Sequence, residues 1–375
     1  MEGLREAGMD VLEIPDVDWA EALTYTTESQ DLAEWRSRTW EAALAFAKKE
    51  QEQGGVDLFL SYLYPDQVEV GAVRELQRAG IPCVNFFCDN VREFRKVPAA
   101  YTPFDLHWVP EFEALPMYRC AHLPHIHAPM PCWVPERYRS VPGCENGLAV
   151  FIGSADLLRR NLLGEAMELG AEVIVYGRGW SGSGNDNFAV GSERSGGVLR
   201  NQFLHFRRHG WAGLASKLCD KAWPPVKRKM PTSWMETTIS AEDYVRLTRE
   251  SPVVLGVSRV PSPLRPLRYP MKYSRLRDIE APMLGACYLT EHTEGVAALY
   301  EVGKEIETYE SASELTYKLK DLLGRPKKRV NLRSAGQIKA LREHSVAASL
   351  VKIVKRLGIP RKSSTSFAVQ TTGPS

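Results

Sequence analysis

A chain of 375 residues, 44% of them hydrophobic, can bury two cores of ordinary size, which makes two domains the first expectation. Charged residues make up 25% and the net charge is only +2, so no global field marks the protein for nucleic acid. The seven cysteines are odd in number, scattered and free of any C-x-x-C pair, which argues against a disulfide framework and for a reducing compartment.

The opening MEGLREAGMDVLEIP lacks the apolar run of a signal peptide, and no stretch approaches the ~20 apolar residues of a membrane span. A cytoplasmic protein is expected. Residues 2–8 read as the tail of a helix and 11–14 as a strand, so the first strand of a doubly wound domain is expected to be absent. Short apolar runs then alternate with amphipathic stretches: strands at 58–62, 83–87 and 106–109, helices at 32–53 and 68–79, the second stopped by Gly80 and Pro82. This is the pattern of a parallel α/β sheet.

A proline-rich stretch, 118–142, reads as an extended crossing between domains. The pattern restarts with a strand at 148–153, a helix at 157–169 and a strand at 172–176. The segment 181–238 interrupts it: SGSGNDN is turn-rich, and 194–229 carries nine Lys/Arg against Asp220, with Phe203, Phe206, Trp211 and Trp223 interleaved. Its aromatics are expected to dock on the domain; the alternative is contact with anionic lipid at the inner face of the membrane. Helix and strand resume at 241–250 and 252–257. The division expected is 1–142, 143–345 with the insertion 181–238, a C-terminal helix 346–360 and a disordered tail 361–375.

The stretch RLRDIEAPMLGACYLTEHTEG, 275–295, concentrates chemistry. Residues 278–284 read as a helix end with Gly285 at C′, followed by a buried strand, 286–290. Arg277 and Glu280 stand three apart on one helical face, which by spacing alone is an exposed ion pair worth a few tenths of a kcal/mol. Downstream, Thr293 can cap a helix whose N-terminus, with Gly295, offers an anion site. A carboxylate for sugar hydroxyls, a guanidinium and an anion site suit a nucleotide-sugar. Glu294, beside a diphosphate, would be repelled, so it points at sugar hydroxyls or out of the site.

From Arg277 onward, Glu280, Gly285, Leu289, Thr290, Gly295, Tyr300, Gly303, Lys304, Glu305, Glu314 and Leu315 resemble the C-terminal donor segment of GT-B glycosyltransferases, closest to the spore-maturation CgeB-like branch. The resemblance covers the last third closely and the first 140 residues more loosely. It implies two Rossmann-like domains facing across a central cleft, the nucleotide-sugar on the C-terminal one and a glycan or other hydroxyl acceptor on the N-terminal one. It implies Glu280 at the nucleotide ribose. Many retaining relatives carry another glutamate eight residues earlier, where this chain has Lys272.

Other candidates follow the same frame. Gly153-Ser154 closes a strand where the first turn would approach phosphate, and Tyr176-Gly177 resembles a wall of the nucleotide pocket. Arg259 and Arg277 are the cations expected at the departing diphosphate, without metal. Asp89, at the carboxyl end of a strand, is the candidate base for an inverting transfer; its alternative role is to cap the next helix. Cys120, His122, His125 and His127 fit no closed zinc spacing. The expected function is transfer of a sugar from a nucleoside-diphosphate sugar to a hydroxyl, with a non-catalytic scaffold or a nucleotide-sugar epimerase as alternatives.

Overall fold

The computed structural model describes residues 2–180, 198–224, 228, 230, 235–236 and 239–359, without the side chains of 198–209 and 235–236. The turn expected at 181–187, the tail 361–375 and the side chains of Phe203 and Phe206 lie outside the described residues. Contacts group the chain into two units: Met1–Phe86, Ala100–Trp108 and Val346–Ser375 form one, and Phe87–Ala99 with Val109–Ser345 the other.

In the first unit β1 (Phe59–Tyr62), β2 (Cys83–Phe86) and β3 (Leu106–Val109) run parallel, with Phe59 opposite Cys83 and Val84 opposite Leu106. The helix Gln30–Gln53 begins where Ser29 accepts the Leu32 N–H, and it buries Leu32, Trp35, Trp40, Ala43 and Ala47 at helical spacing. Trp40 Nε1 donates to the Gln67 carbonyl at 2.8 Å, so the ring is buried without leaving its one donor unpaired. Helix Val70–Arg78 ends ahead of Gly80, whose φ of +80° few other residues accept. Residues 11–14 form no strand: Leu12 is 47% exposed, and three apolar residues that bury so little do not hold an extended edge. Helix Val346–Leu357 buries Val346, Ser349, Leu350 and Ile353 and packs against helix Glu2–Glu6 within this unit.

The strands of the second unit are, in chain order, β4 (His125–His127), β5 (Ala149–Ile152), β6 (Val173–Tyr176), β7 (Met235–Glu236), β8 (Val254–Gly256), β9 (Arg259–Val260), β10 (Met271–Lys272), β11 (Tyr288–Glu291) and β12 (Glu307–Tyr309). Six form one sheet in the order β12-β11-β8-β5-β6-β7, every pairing parallel. Alternation along β5 explains why it reads as an unbroken apolar run. Ala149 and Phe151 face a core with Leu162, Leu163, Leu315 and Leu319, whereas Val150 and Ile152 face another with Ile279, Met283 and Val296. Cys132 and Val134, from the proline-rich stretch, lie in the second of these cores, so contacts group that stretch with the residues after 142.

Helix Val198–Ala222 is broken at Gly210, with φ 60° and ψ −155°. Trp211 and Trp223 are 74% and 63% exposed, so these two aromatics do not dock as expected. The small residues Gly213 and Ser216 turn inward instead.

The helix Pro326–Glu343 is tied down by Arg333, which is 1% exposed. Its guanidinium donates to the carbonyls of Arg249 at 2.7 Å, Gly285 at 2.8 Å and Ser251, and to Glu145 at 3.2 Å. Arg333→Ala strands three buried carbonyls and a carboxylate, and is expected to cost about 3–5 kcal/mol in urea unfolding. A loss below about 1 kcal/mol would show that water replaces the guanidinium.

Candidate functional site

Within the second unit a cavity of about 320 Å³ opens beside the carboxyl ends of β5 and β8. Gly153-Ser154 and Val257-Ser258 line it from the two strand ends, and Arg159, Arg275 and Arg277 bring three guanidinium groups to it. Asp89 and Glu111 line it too, as do Tyr273, Asp278 and Glu280.

The Gly153 turn is held from below. Gly153 N donates to Tyr176 O at 2.8 Å, Trp180 Nε1 donates to Gly153 O at 2.7 Å, and Arg159 Nη1 donates to Ser154 O at 2.9 Å. Gly177 sits at φ +132°, and a Cβ there would overlap the Gly153 carbonyl, so only glycine allows the two turns to approach this closely. Tyr176 and Gly177 thus support the turn and are not among the cavity-lining residues; Trp180 is the docked ring of a glycine turn.

Arg159 follows from the helix Leu157–Glu168, whose N-cap Asp156 accepts the Arg159 N–H and faces its Nε at 3.3 Å. Burial pushes its guanidinium pKa down, Asp156 opposes that, and the neighbouring Arg275 and Arg277 push it further down. A cluster of cations that repel one another in a buried place is a site with electrostatic room for an anion.

Helix Arg277–Met283 delivers the predicted pair, and Gly285 ends it at φ +79°. No ion pair joins Arg277 to Glu280. Both meet Tyr244 instead: the Arg277 guanidinium lies 5.1 Å from the ring centroid, and the Tyr244 hydroxyl donates to Glu280 Oε2. Arg277 Nη1 is buried without a hydrogen-bond partner. Between the two, Asp278 is structural: it accepts from Arg275 N at 2.7 Å, Tyr288 OH at 2.8 Å and Thr290 Oγ1 at 3.1 Å, while burial pushes its pKa up.

Asp89 occupies the N-cap of the short helix Asn90–Glu93 in the left-handed region, φ 67°, and its side chain does not cap. It accepts from Tyr273 OH and faces Arg92 at 3.7 Å. Beside it stands Glu111, which the sequence reading passed over although it too follows a strand's carboxyl end. Glu111 is 1% exposed; Oε2 accepts from Asn90 N at 2.9 Å and Oε1 has no hydrogen-bond partner. Burial pushes its pKa from 4.5 up to about 8, opposed by the Asn90 hydrogen bond and reinforced by Asp89.

Other predicted residues are not brought to this cavity. Arg259 is committed to Glu291, with Nε 3.0 Å and Nη2 2.5 Å from Oε1, and Lys272 reaches the same oxygen at 2.8 Å. The Glu291 side chain is wholly buried, so releasing Arg259 to a ligand would uncover a buried charge. Thr293 caps helix Glu294–Leu299 by accepting the Val296 N–H at 3.0 Å. The Gly295 N–H expected to meet an anion donates to this chain's own Glu113 Oε1 at 3.1 Å. Glu294 is exposed. Among the described residues no three His, Cys, Asp or Glu side chains are grouped to hold a metal ion.

A family model described as glycosyl transferase-like matches residues 159–355. A search of the curated proteins finds no match. Among solved structures the chain is similar to HepE of Anabaena in complex with UDP-glucose, at 13% identity and a TM-score of 0.54, covering 89% of this chain and 85% of that one. It is similar to sucrose-phosphate synthase of Thermosynechococcus elongatus, at 14% identity and a TM-score of 0.51, covering 90% and 81%. A glycosyltransferase of Rickettsia africae ESF-5 matches at 11% identity and a TM-score of 0.51, covering 90% and 83%. At such identities the likeness is one of fold, and the fold is GT-B.

The buried Glu111 sets a dependence of stability on pH. A carboxyl whose folded pKa is raised contributes stability below its unfolded value of 4.5 and loses it as pH rises through about 8. Wild-type stability should therefore fall across that window by up to roughly 5 kcal/mol from this group, at ~1.4 kcal/mol per pH unit. Glu111→Gln should flatten the fall in chemical unfolding at a series of pH values; an unchanged slope would show that Glu111 is ionised in the folded protein.

Proposed function

The chain belongs to the glycosyl transferase-like family, and from that premise we propose that it moves a sugar from a nucleoside-diphosphate sugar to an acceptor hydroxyl in polysaccharide or glycoconjugate synthesis. Within the family the proposed kinship is with the spore-maturation CgeB-like branch, on the motif from Arg277 to Leu315. The observation that carries the proposal is one cavity lined by three arginines, the Gly153-Ser154 turn and four carboxyl groups, Asp89, Glu111, Asp278 and Glu280.

Each group has a task in that reaction. Cleaving the sugar–diphosphate bond leaves negative charge on the diphosphate. Arg159, Arg275 and Arg277, fixed before the reaction, stabilise that charge without having to reorient. Glu280, aimed by Tyr244, accepts hydrogen bonds from ribose hydroxyls. One of the two carboxyl groups at the strand ends, Asp89 or Glu111, accepts the proton that the acceptor hydroxyl loses. Guanidinium groups here supply the positive charge that a divalent ion supplies in other transferases, so the proposal includes transfer that survives a chelator.

Peripheral contact with an anionic membrane belongs to the same proposal. Trp211, Leu214 and Leu218, spaced three and four apart, are exposed together with Trp223, while Lys217 and Lys221 flank them. No described helix is long and apolar enough to cross a membrane. Vesicles containing phosphatidylserine or phosphatidylglycerol should sediment the protein, and Trp211→Ser with Trp223→Ser should release it. Equal binding to neutral vesicles would remove the electrostatic part, and no sedimentation with either would remove the contact.

The donor test starts from UDP-glucose, the ligand in the HepE structure, and extends to GDP-, dTDP- and CDP-sugars, read by calorimetry and nucleotide release. Binding, with release stimulated by acceptor and retained in EDTA, is the expected result. Isomerised sugar without acceptor would select an epimerase, and no binding at all a scaffold. Glu280→Ala should weaken binding about tenfold or more, and Tyr244→Phe, which keeps the ring under Arg277, by less. Unchanged affinity with a lowered melting temperature would make Glu280 a packing group.

A further inference from the structure

Four carboxyl groups line the cavity; Asp278 is held by Tyr288 and Thr290 and Glu280 by Tyr244, and the surroundings of the other two, Asp89 and Glu111, differ. Asp89 is already engaged by this chain's own groups: it receives the Tyr273 hydroxyl and faces Arg92 at 3.7 Å. Among the described residues no ion pair reaches Glu111. One of its oxygens is fixed by the Asn90 N–H, and the other has no protein partner. Asn90 is itself immobile: it is fully buried, its Nδ2 donates to Phe87 O at 2.8 Å, and its Oδ1 accepts from Tyr118 OH at 2.9 Å. A carboxyl held by one oxygen on a fixed amide, with the other oxygen unsatisfied at a cavity, is pre-aimed at a donor that the protein does not supply.

We propose that Glu111 is the catalytic base of the transfer, its unpartnered oxygen taking the proton of the acceptor hydroxyl, and that Asp89 is a positioning residue that sets Glu111's basicity through its charge. The proposal rests on the glycosyl transfer reading. In the step, the acceptor oxygen bonds to the anomeric carbon as its O–H pair is released to it and the proton passes to Glu111. The bond from that carbon to the diphosphate oxygen breaks, and its electron pair leaves with the diphosphate toward Arg159, Arg275 and Arg277. Glu111 ends protonated and returns its proton to water. One displacement of this kind inverts the anomeric centre.

The groups that face Glu111 bear on its titration from each side. Asp89 and Asn90 come from the turn and short helix 89–93, Tyr118 from helix Leu115–Cys120, and Tyr273 from the residue after β10. Of these, the Asp89 charge raises the Glu111 pKa, which stands at about 8, so the ionised base appears as pH rises toward that value. Removing the Asp89 charge should therefore move the limb of the profile to lower pH.

The test uses the full chain and UDP-glucose with its GDP, dTDP and CDP counterparts, water serving as the acceptor. Nucleotide release is followed from about pH 5.5 to 9.5, and UDP binding by calorimetry. Wild-type release should rise along a limb near pH 8. Glu111→Gln, which is isosteric, should lose about 100-fold or more in release with UDP affinity unchanged. Asp89→Asn should keep measurable release with its limb displaced to lower pH. Release by Glu111→Gln within about threefold of wild type overturns the proposal, as does an Asp89→Asn limb that stays in place or moves upward. A wild-type protein that binds none of the donors defeats the glycosyl transfer reading itself, and does so before any variant is compared.

Discussion

The guanidinium of Arg333 gathers the backbone ends on which the cavity walls of the second unit depend. Its three carbonyl partners belong to the end of helix Ala241–Glu250, to the entry into β8 and to the Gly285 turn before β11. The first of these elements presents Tyr244, the second leads to Val257 and Ser258, and the third closes the helix that carries Arg277 and Glu280. An arginine suits this task because its planar fork addresses several acceptors at once and never deprotonates, so no pH change releases the carbonyls. Glu145 balances its charge and that of Arg329, whose Nη2 lies 2.5 Å from the same carboxylate. Burying one charge without the other would cost several kcal/mol.

Above that anchor the site is organised by charge. Guanidinium groups and carboxyl groups share a cavity, yet the groups on its walls are not paired off against one another. Arg259 shows the contrast: sealed against Glu291, with Lys272 on the same oxygen, it has no charge to offer a ligand. Arg277 keeps a buried nitrogen without a hydrogen-bond partner, and Glu111 keeps an oxygen in the same condition. Unsatisfied polar atoms are costly where they only hold a fold together, and a cation and a carboxyl group that each keep one on the same cavity wall are suited to receive polar groups. The tightness of the Gly153–Gly177 approach serves the same end, because a turn that cannot shift keeps its amides where an anion needs them.

How legible this was differs between fold and site. Helix ends were legible where their causes are local: Thr293 caps within three residues, and Gly80 and Gly285 take the left-handed conformation at the end of their own helices. Four strands of the second sheet, β5, β6, β8 and β11, were legible because burial on both faces makes them continuous apolar runs, which β7 and β12 are not. Residues 11–14 show the limit of that cue, since three apolar residues announce a strand only if something covers them. Asp89, Gly153, Ser154, Arg277 and Glu280 were found by position at strand ends and on a helical face, and all five line the cavity.

The sequence by itself determined an alternating α/β chain and the segment that presents Arg277 and Glu280, because periodicity, caps and glycine turns act over a few residues, whereas GT-B was implied by the resemblance of the motif from Arg277 to Leu315. Only the tertiary structure decided which charges are spent and which remain. Glu113 reaches Gly295 across 182 positions and takes the anion site that local reading gave to a diphosphate, while Glu291 takes Arg259 across 32. Tyr244, Arg159, Arg275 and Glu111 enter the site for the same reason. An ion pair or an unpartnered carboxyl is a property of what packs beside it, and no spacing along the chain records that neighbour.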